Sequence, residues 1–312
     1  MGSDGGTILV ATANGIHGFD GQGRTDVALV DRSVTSLARD GSSVWAILDE
    51  QELWHGIGQR WRHVADLEGL RVTCIASVDG DVLVGTSEAH LFRLVDDGLV
   101  PVEAFERAPG RSDWYTPWGG PPATRSIANW DDDVYVNVHV GGIPRTRDAG
   151  ATWTPTIDID ADVHQVTTAE GLVLAACAEG LAVSTDRGST WSMRTDGLAA
   201  PYSRAVAVCG ETVLVSSSNG PRGGRAAVYR GALSGGRFER CEAGPGWFDG
   251  NVDSSWLDAL PDATLAAFAT PDGTLAAFAT LDGTLYVSTD GGETWDERAT
   301  DLPQVRRVLV MP

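Results

Sequence analysis

Short apolar runs recur along the whole chain, each bounded by Gly, Asp, Asn or Ser. VWAIL at 44–48, VYV at 134–136, LVLAAC at 172–177 and VLV at 213–215 are examples. Runs of this length between turn residues predict strands, and no stretch carries a helical period of any length. The runs fall into similar units. Each has an inner strand, a turn, a very apolar second strand, a third strand, a turn and a fourth strand. Six units follow one another at 34–66, 71–105, 125–155, 163–194, 202–241 and 253–299. The remainder at 304–310 reads as an inner strand with no successor. Residues 7–19 and 25–30 read as second, third and fourth strands with no predecessor. Joined, the two ends predict a seventh unit, which would protect a sheet edge otherwise left open.

One eight-residue pattern appears three times: TRDAGATW at 146–153, STDRGSTW at 184–191 and STDGGETW at 288–295. Each reads S/T-x-D-x-G-x-T-W. The Asp carboxylate suits acceptance of turn N–H groups, and the Gly permits a positive φ. The Trp then starts a returning strand and buries its ring between sheets. The pattern resembles the Asp-box, or BNR repeat, of sialidases, sortilin-type receptor domains and Ycf48-like photosystem assembly factors. That resemblance implies a propeller fold, with no common function. A period of about 40–45 residues agrees with four-stranded propeller blades. The expectation is all-β: a seven-bladed β-propeller of four-stranded antiparallel blades, closed by N- and C-terminal strands sharing one blade. One propeller is one domain, here 1–312. Asp148, Trp153, Asp186, Trp191, Asp290 and Trp295 are expected to be structural.

A near-perfect duplication interrupts the sixth unit. PDATLAAFAT at 261–270 is followed by PDGTLAAFAT at 271–280. An extra strand would reverse the direction of everything after it. Either copy fits one slot, so register is weakly specified and a bulged or frayed blade is expected.

Charge narrows the partners. The chain has 43 acidic and 23 basic residues, a net charge of −20, no Lys, and more than twice as much Asp as Glu. Such a surface repels nucleic acid and anionic membranes. It suits high salt, where screening removes most self-repulsion. A halophilic, cytoplasmic monomer is the expectation. Stability should therefore rise with salt; a protein fully folded in low salt would contradict this. Residues 1–6 carry no signal-peptide pattern, and no apolar run reaches membrane length. Cys74, Cys177, Cys209 and Cys241 lack CxxC spacing and read as reduced core residues.

In a propeller, connections alternate between two faces, and the Asp-boxes occupy three-to-four turns. The long polar connections belong to the other face: 107–123 with Trp114, Tyr115 and Trp118; 156–162 with Asp158, Asp160 and Asp162; and 244–251 with Asp249 and Asn251. The second-to-third connections add His139 and the run 219–225, with Arg222 and Arg225. Long loops on a rigid scaffold usually carry function. Aligning the apolar second strands places Thr35, Thr73, Arg125, His164, Arg204, Ser255 and Arg306 at equivalent inner-strand positions. Arg grips carboxylate or phosphate, and His serves as acid, base or ligand.

The leading expectation is a propeller that binds a small anionic molecule, a carbohydrate or a protein on its loop-rich face. Arg125, His139, His164, Arg204, Trp114, Trp118, Arg222, Asp249 and Asn251 are the candidate contacts. The first alternative is a glycoside hydrolase. Resemblance to sialidases asks for an arginine cluster and a Glu-activated Tyr; Tyr115 and Tyr202 have no convincing Glu. An Asp-pair enzyme would set Asp160 or Asp162 opposite Asp249 or Asp253. The second is a metal-dependent hydrolase or lyase, with a divalent ion on His139, His164 and nearby Asp. Asp158, Asp160 and Asp162 share one face if extended. A calcium loop of the usual kind fails, because Val163 and Ala169 stand where Gly and Glu belong.

Overall fold

The computed structural model describes residues 6–241, 246–254, 256–259 and 275–312, the side chain of residue 26 excepted. The chain forms two compact units, Thr35–Arg194 and Met1–Val34 with Thr195–Pro312.

Thr35–Arg194 holds blades one to four. Blade one comprises Val34–Asp40, Ser43–Leu48, Glu52–Ile57 and Arg60–Asp66. Blade two comprises Val72–Val78, Asp81–Thr86, Leu91–Val95 and Gly98–Pro101. Blade three comprises Thr124–Trp130, Asp133–Val138, Pro144–Thr146 and Thr154–Pro155. Blade four comprises Val163–Ala169, Leu172–Cys177, Gly180–Ser184 and Ser192–Arg194. Each is a four-stranded antiparallel meander.

Apolar layers lie between neighbouring blades, which explains the near-continuous apolar second strands. Val134, Val136 and Val138 face Leu83, Leu91 and Phe105 on the blade-two side. Tyr135 points the other way and packs with Val163, Val166 and Val173 of blade four. Successive strand side chains alternate faces, so a strand buried on both faces must be apolar at almost every position.

The second unit holds blades five to seven. Blade five comprises Tyr202–Cys209, Thr212–Ser218, Ala227–Ala232 and Glu239–Arg240. Blade six comprises Leu257–Ala259, Ala276–Ala279, Leu285–Ser288 and Asp296–Ala299. In blade seven the last strand, Val305–Met311, pairs with Thr7–Thr12, followed by Gly15–Asp20 and Gly23–Ala28. Leu9 sits opposite Leu309, so the two chain ends share one sheet as expected. Seven four-stranded antiparallel sheets make this an all-β, seven-bladed β-propeller. Among the described residues, helix is limited to three single 3-10 turns, Phe105–Arg107, Arg111–Asp113 and Ile159–Ala161.

Blade six takes its second strand from the second copy of the duplication, through Ala276–Ala279. Residues 260–274, which include the whole first copy, lie outside the described residues. The described sheet has four strands, and register shifts between Leu285 and Tyr286.

All three Asp-boxes use their carboxylates internally. Asp186 accepts from the Thr190 backbone N–H at 2.8 Å, the Thr190 hydroxyl at 2.7 Å and the Ser184 hydroxyl at 2.8 Å. Asp148 makes the matching set with Thr152 and Thr146. Asp290 does so with Thr294 and Ser288. The leading Ser or Thr takes the Gly N–H, as in Gly188 to Ser184 at 2.7 Å. Donation from Thr190 holds the Asp186 carboxyl down at about 2. These groups are turn pins, and none is left over for chemistry. Two of the three tryptophans pack on an aromatic neighbour, Trp153 edge-on to Phe105 at 4.9 Å and Trp295 to Phe278 at 4.7 Å, and Trp191 donates from its indole N–H to the Thr156 carbonyl at 2.7 Å. The four cysteines are buried, as the sequence implies.

Candidate functional site

The aligned inner-strand positions share a backbone feature. Pairing jumps from Val163 to Gln165, so His164 is the extra residue of a β-bulge. Arg125, Thr73, Arg204 and Arg306 are skipped in the same way in their own blades. A bulge re-aims one side chain while the rest of the strand keeps its register. In these five blades the core faces stay in phase, and one side chain escapes the alternation. The Thr35 hydroxyl donates to the Ile47 carbonyl at 3.3 Å. Ser255 lies outside the described residues.

In Thr35–Arg194, blades three and four bring His139, Asp162 and His164 together. His139 follows the second strand of blade three, and its backbone N–H donates to the Ala123 carbonyl at 2.9 Å. Asp162 precedes the inner strand of blade four, in a left-handed conformation with φ 45° and ψ 67°. Its carboxylate lies between the two imidazoles. His139 Nε2 is 3.3 Å from Oδ1 and His164 Nε2 is 3.5 Å from Oδ2. Both histidines are buried, His164 to 1% exposure. The two imidazoles beside it hold the Asp162 carboxyl well below the carboxylate range.

The acidic run 158–162 is not extended, which corrects the expectation that its carboxylates share a face. The chain turns through Ile159–Ala161. Asp158 caps that turn by accepting from the Asp160 N–H at 2.9 Å. Asp160 accepts from the Tyr115 hydroxyl at 3.3 Å. Three carboxylates thus do three separate jobs, and local capping outweighs the i, i+2 spacing. Among the described residues, no group of three His, Cys, Asp or Glu side chains is arranged to hold a metal ion.

The loop 107–123 lays aromatics over this cluster. Trp118 is 70% exposed, and its ring centroid is 5.1 Å from that of His139. The Thr116 hydroxyl braces the loop by donating to the Gly120 carbonyl at 2.5 Å. Trp114 is half-buried against Phe105, with the Arg111 guanidinium 5.0 Å from its ring. Partial desolvation, then the Asp160 carboxylate, raises the exposed Tyr115 phenol above its ordinary value. A nucleophilic phenolate needs the opposite shift. Arg125 is half-buried and adds a positive potential at His139.

Sequence reasoning missed Asn137 as a single residue. It is fully buried on the second strand of blade three, and neither amide atom has a hydrogen-bond partner. A polar residue in a run such as VYVNV is the signal that was available. Buried amides are normally paired, so an unpaired one stands out from the surrounding apolar strand.

Burial is the main cause that lowers the His139 pKa, opposed by the neighbouring Asp162 carboxylate and reinforced by Arg125. Burial, then Arg24, lowers His17; burial, then Arg62, lowers His55. A depressed folded pKa means the unfolded chain takes the proton first. The corresponding stability is therefore complete above about pH 6.5 and is lost as pH falls. In 1 M salt, where self-repulsion is screened, the urea midpoint should fall between pH 7 and pH 5. His139→Gln should flatten that slope. A midpoint that rises on acidification would contradict the account.

The second unit places Arg204 against Asp253, with Nε at 3.0 Å and Nη2 at 2.7 Å from Oδ1. A candidate ligand-binding arginine and a candidate acid thus engage each other. Asn251 donates to the carbonyls of Gly220 and Pro221 at 3.3 and 3.2 Å, which ties two connections together. Arg222 and Asp249 are exposed. The indole of Trp247 has the guanidinium carbons of Arg225 and Arg240 each 4.8 Å from its ring.

Residues 286–297 match the BNR/Asp-box repeat. The chain carries that repeat. The match covers the third Asp-box and parts of its flanking strands. No curated protein matches the sequence. Solved structures match as folds. An ancestral GH74 enzyme superposes with a TM-score of 0.61 at 14% identity over 93% of this chain. A GH74 xyloglucanase from Xanthomonas campestris gives 0.59 at 15% identity over 94%. This Asp-box chain spans 40% and 46% of those two chains. YCF48 bound to D1 peptide gives 0.58 at 14% identity, with 98% of this chain and 95% of that chain covered.

Proposed function

We propose that this Asp-box propeller is a non-catalytic recognition module, and that blades three and four bind a polypeptide partner through the aromatic loop 107–123. The observation that carries this is Trp118, largely exposed yet backed by a buried His139 that Asp162 holds in place. Interface hot spots are enriched in Trp, Tyr and Arg on rigid supports, and Trp118, Tyr115 and Arg125 supply that set. The acid–base groups are already committed to one another, which disfavours turnover at this position. The preference for a small anion weakens as well: Asp162 brings a negative charge to the histidines, and burial favours neutral His139. YCF48, a propeller of nearly equal length, has a peptide bound in its solved structure, which supports the reading by analogy of fold alone.

A carbohydrate is the second reading, favoured by the flat exposed indole of Trp118 and by the xyloglucanase among the similar folds. A cytoplasmic, halophilic setting for either function is part of the proposal and rests on the acidic, Lys-free composition. A displayed random-peptide library and a glycan array, each probed with wild type and Trp118→Ala, test the choice. Peptide binders weakened about tenfold or more by Trp118→Ala are expected, about the 1.4 kcal/mol of a modest hot spot. Glycan binding lost in the same variant would move the assignment to carbohydrate. Ligands that ignore the substitution would place the binding surface elsewhere.

A further inference from the structure

On the Asp-box side of blades two and three lies a cleft of about 370 Å³, apart from the aromatic loop and its histidines. Its apolar lining includes Leu83, Leu91, Val134 and Trp153. Four carboxylates and two guanidiniums surround it: Asp79, Asp81, Asp132 and Asp148 with Arg93 and Arg147. Both arginines are engaged. Arg93 Nε lies 3.3 Å from Asp81, and its Nη2 donates to the Ala149 carbonyl at 2.6 Å. Arg147 Nε lies 3.4 Å from Asp133. The Asp148 carboxylate is consumed by Thr152 and Thr146. Asp79 and Asp132 remain. They stand on turns of opposite walls, one in blade two and one in blade three, and neither has a partner among the described residues.

The cleft therefore pairs an apolar interior with two uncompensated negative charges. Its volume lies in the range of small-ligand pockets. We infer that it binds an alkyl cation: a chain of about four or five carbons ending in an ammonium or guanidinium group. The stem would cover Leu83, Val134 and the Trp153 ring, and the charged head would lie between Asp79 and Asp132. Long basic side chains divide into just such an apolar stem and a charged tip. The same chemistry comes from a free diamine or from a lysine side chain of a polypeptide. A monovalent anion is disfavoured, because both arginines already have acceptors.

The test titrates the full chain with cadaverine, with Nα-acetyl-lysine methylamide and with glutarate. Calorimetry gives the affinity, and the Trp153 indole N–H resonance, assigned with Trp153→Phe, reports the location. The expected result is saturable 1:1 binding of at least one amine with a shift of the Trp153 signal. Asp79→Asn with Asp132→Asn should weaken it tenfold or more; both substitutions are on exposed turns and leave the core untouched. Tighter binding of the lysine amide assigns the site to a polypeptide, and tighter binding of cadaverine assigns it to a free polyamine. No saturable amine binding, equal binding of glutarate, or indifference to the double variant would overturn the inference. So would an equal loss in Asp97→Asn, an exposed carboxylate outside the cleft, which would reveal only attraction to an acidic surface.

Discussion

Gly197→Ala should destabilise the chain by about 2–5 kcal/mol, a large part of the total stability of an ordinary domain. Gly197 sits at φ +90° in the connection that enters blade five. A Cβ there would lie 1.9 Å from the Phe238 carbonyl oxygen and 2.8 Å from its carbon. The obstacle is backbone that is itself held, since the Phe238 N–H donates to the Asp196 carbonyl at 2.8 Å. Phe238 is also fully buried, so this segment cannot step back cheaply. Two costs combine: about 1–2 kcal/mol for an L-residue at positive φ, and a further 1–3 kcal/mol or so for the clash. Gly236→Ala separates them. It has φ +100° and nothing within 4 Å of the added carbon, so it carries the first cost alone. Urea denaturation of both variants measures the difference. Near-equal midpoints would mean that the Gly197 connection does not pack against Phe238 in solution.

That contact shows where reading from sequence stops. The blades were legible because each depends on local chemistry repeated many times: apolar second strands, Asp-box turns, and terminal segments that complete one another as strands. Leu9 opposite Leu309 follows from an inner strand without a successor and second to fourth strands without a predecessor. The inner-strand positions were legible too, since alignment on the apolar strands picked out Thr73, Arg125, His164, Arg204 and Arg306. Their cause, a bulge repeated at one place in five of the sheets, was not, because one extra residue leaves the surrounding alternation intact. The acidic run 158–162 misled for a related reason. Alternating Asp residues have no preference between an extended strand and a capped turn, and Asp158 chose the turn by accepting the Asp160 N–H. Arg204 with Asp253, and His139 with His164 across Asp162, are pairings between distant segments that spacing does not encode.

Asp162→Ala is expected to cost about 2–4 kcal/mol and to loosen the proposed binding surface. Two buried imidazoles lose one shared acceptor, and a donor stranded in that way costs about 1–3 kcal/mol. The off-line contact at 3.3 Å and the longer one at 3.5 Å set the sum below twice the upper figure. Alanine at φ 45° adds strain that Asp tolerates better. Asp162→Asn keeps the shape and the tolerance of positive φ but removes the charge, and should cost about half as much. The two variants also fix the role of the carboxylate. Asp162 raises the His139 pKa against the stronger effect of burial, so Asp162→Asn should move that histidine still lower. Imidazole resonances followed between pH 5 and pH 8 read the shift directly. A purely structural Asp162 would lower stability and leave the histidine titration where it was. Because Trp118 rests on His139, a freed imidazole should also weaken peptide capture, by less than Trp118→Ala does. Full peptide affinity in a folded Asp162→Ala variant would separate the aromatic loop from the histidines beneath it and remove the physical basis for a rigid platform.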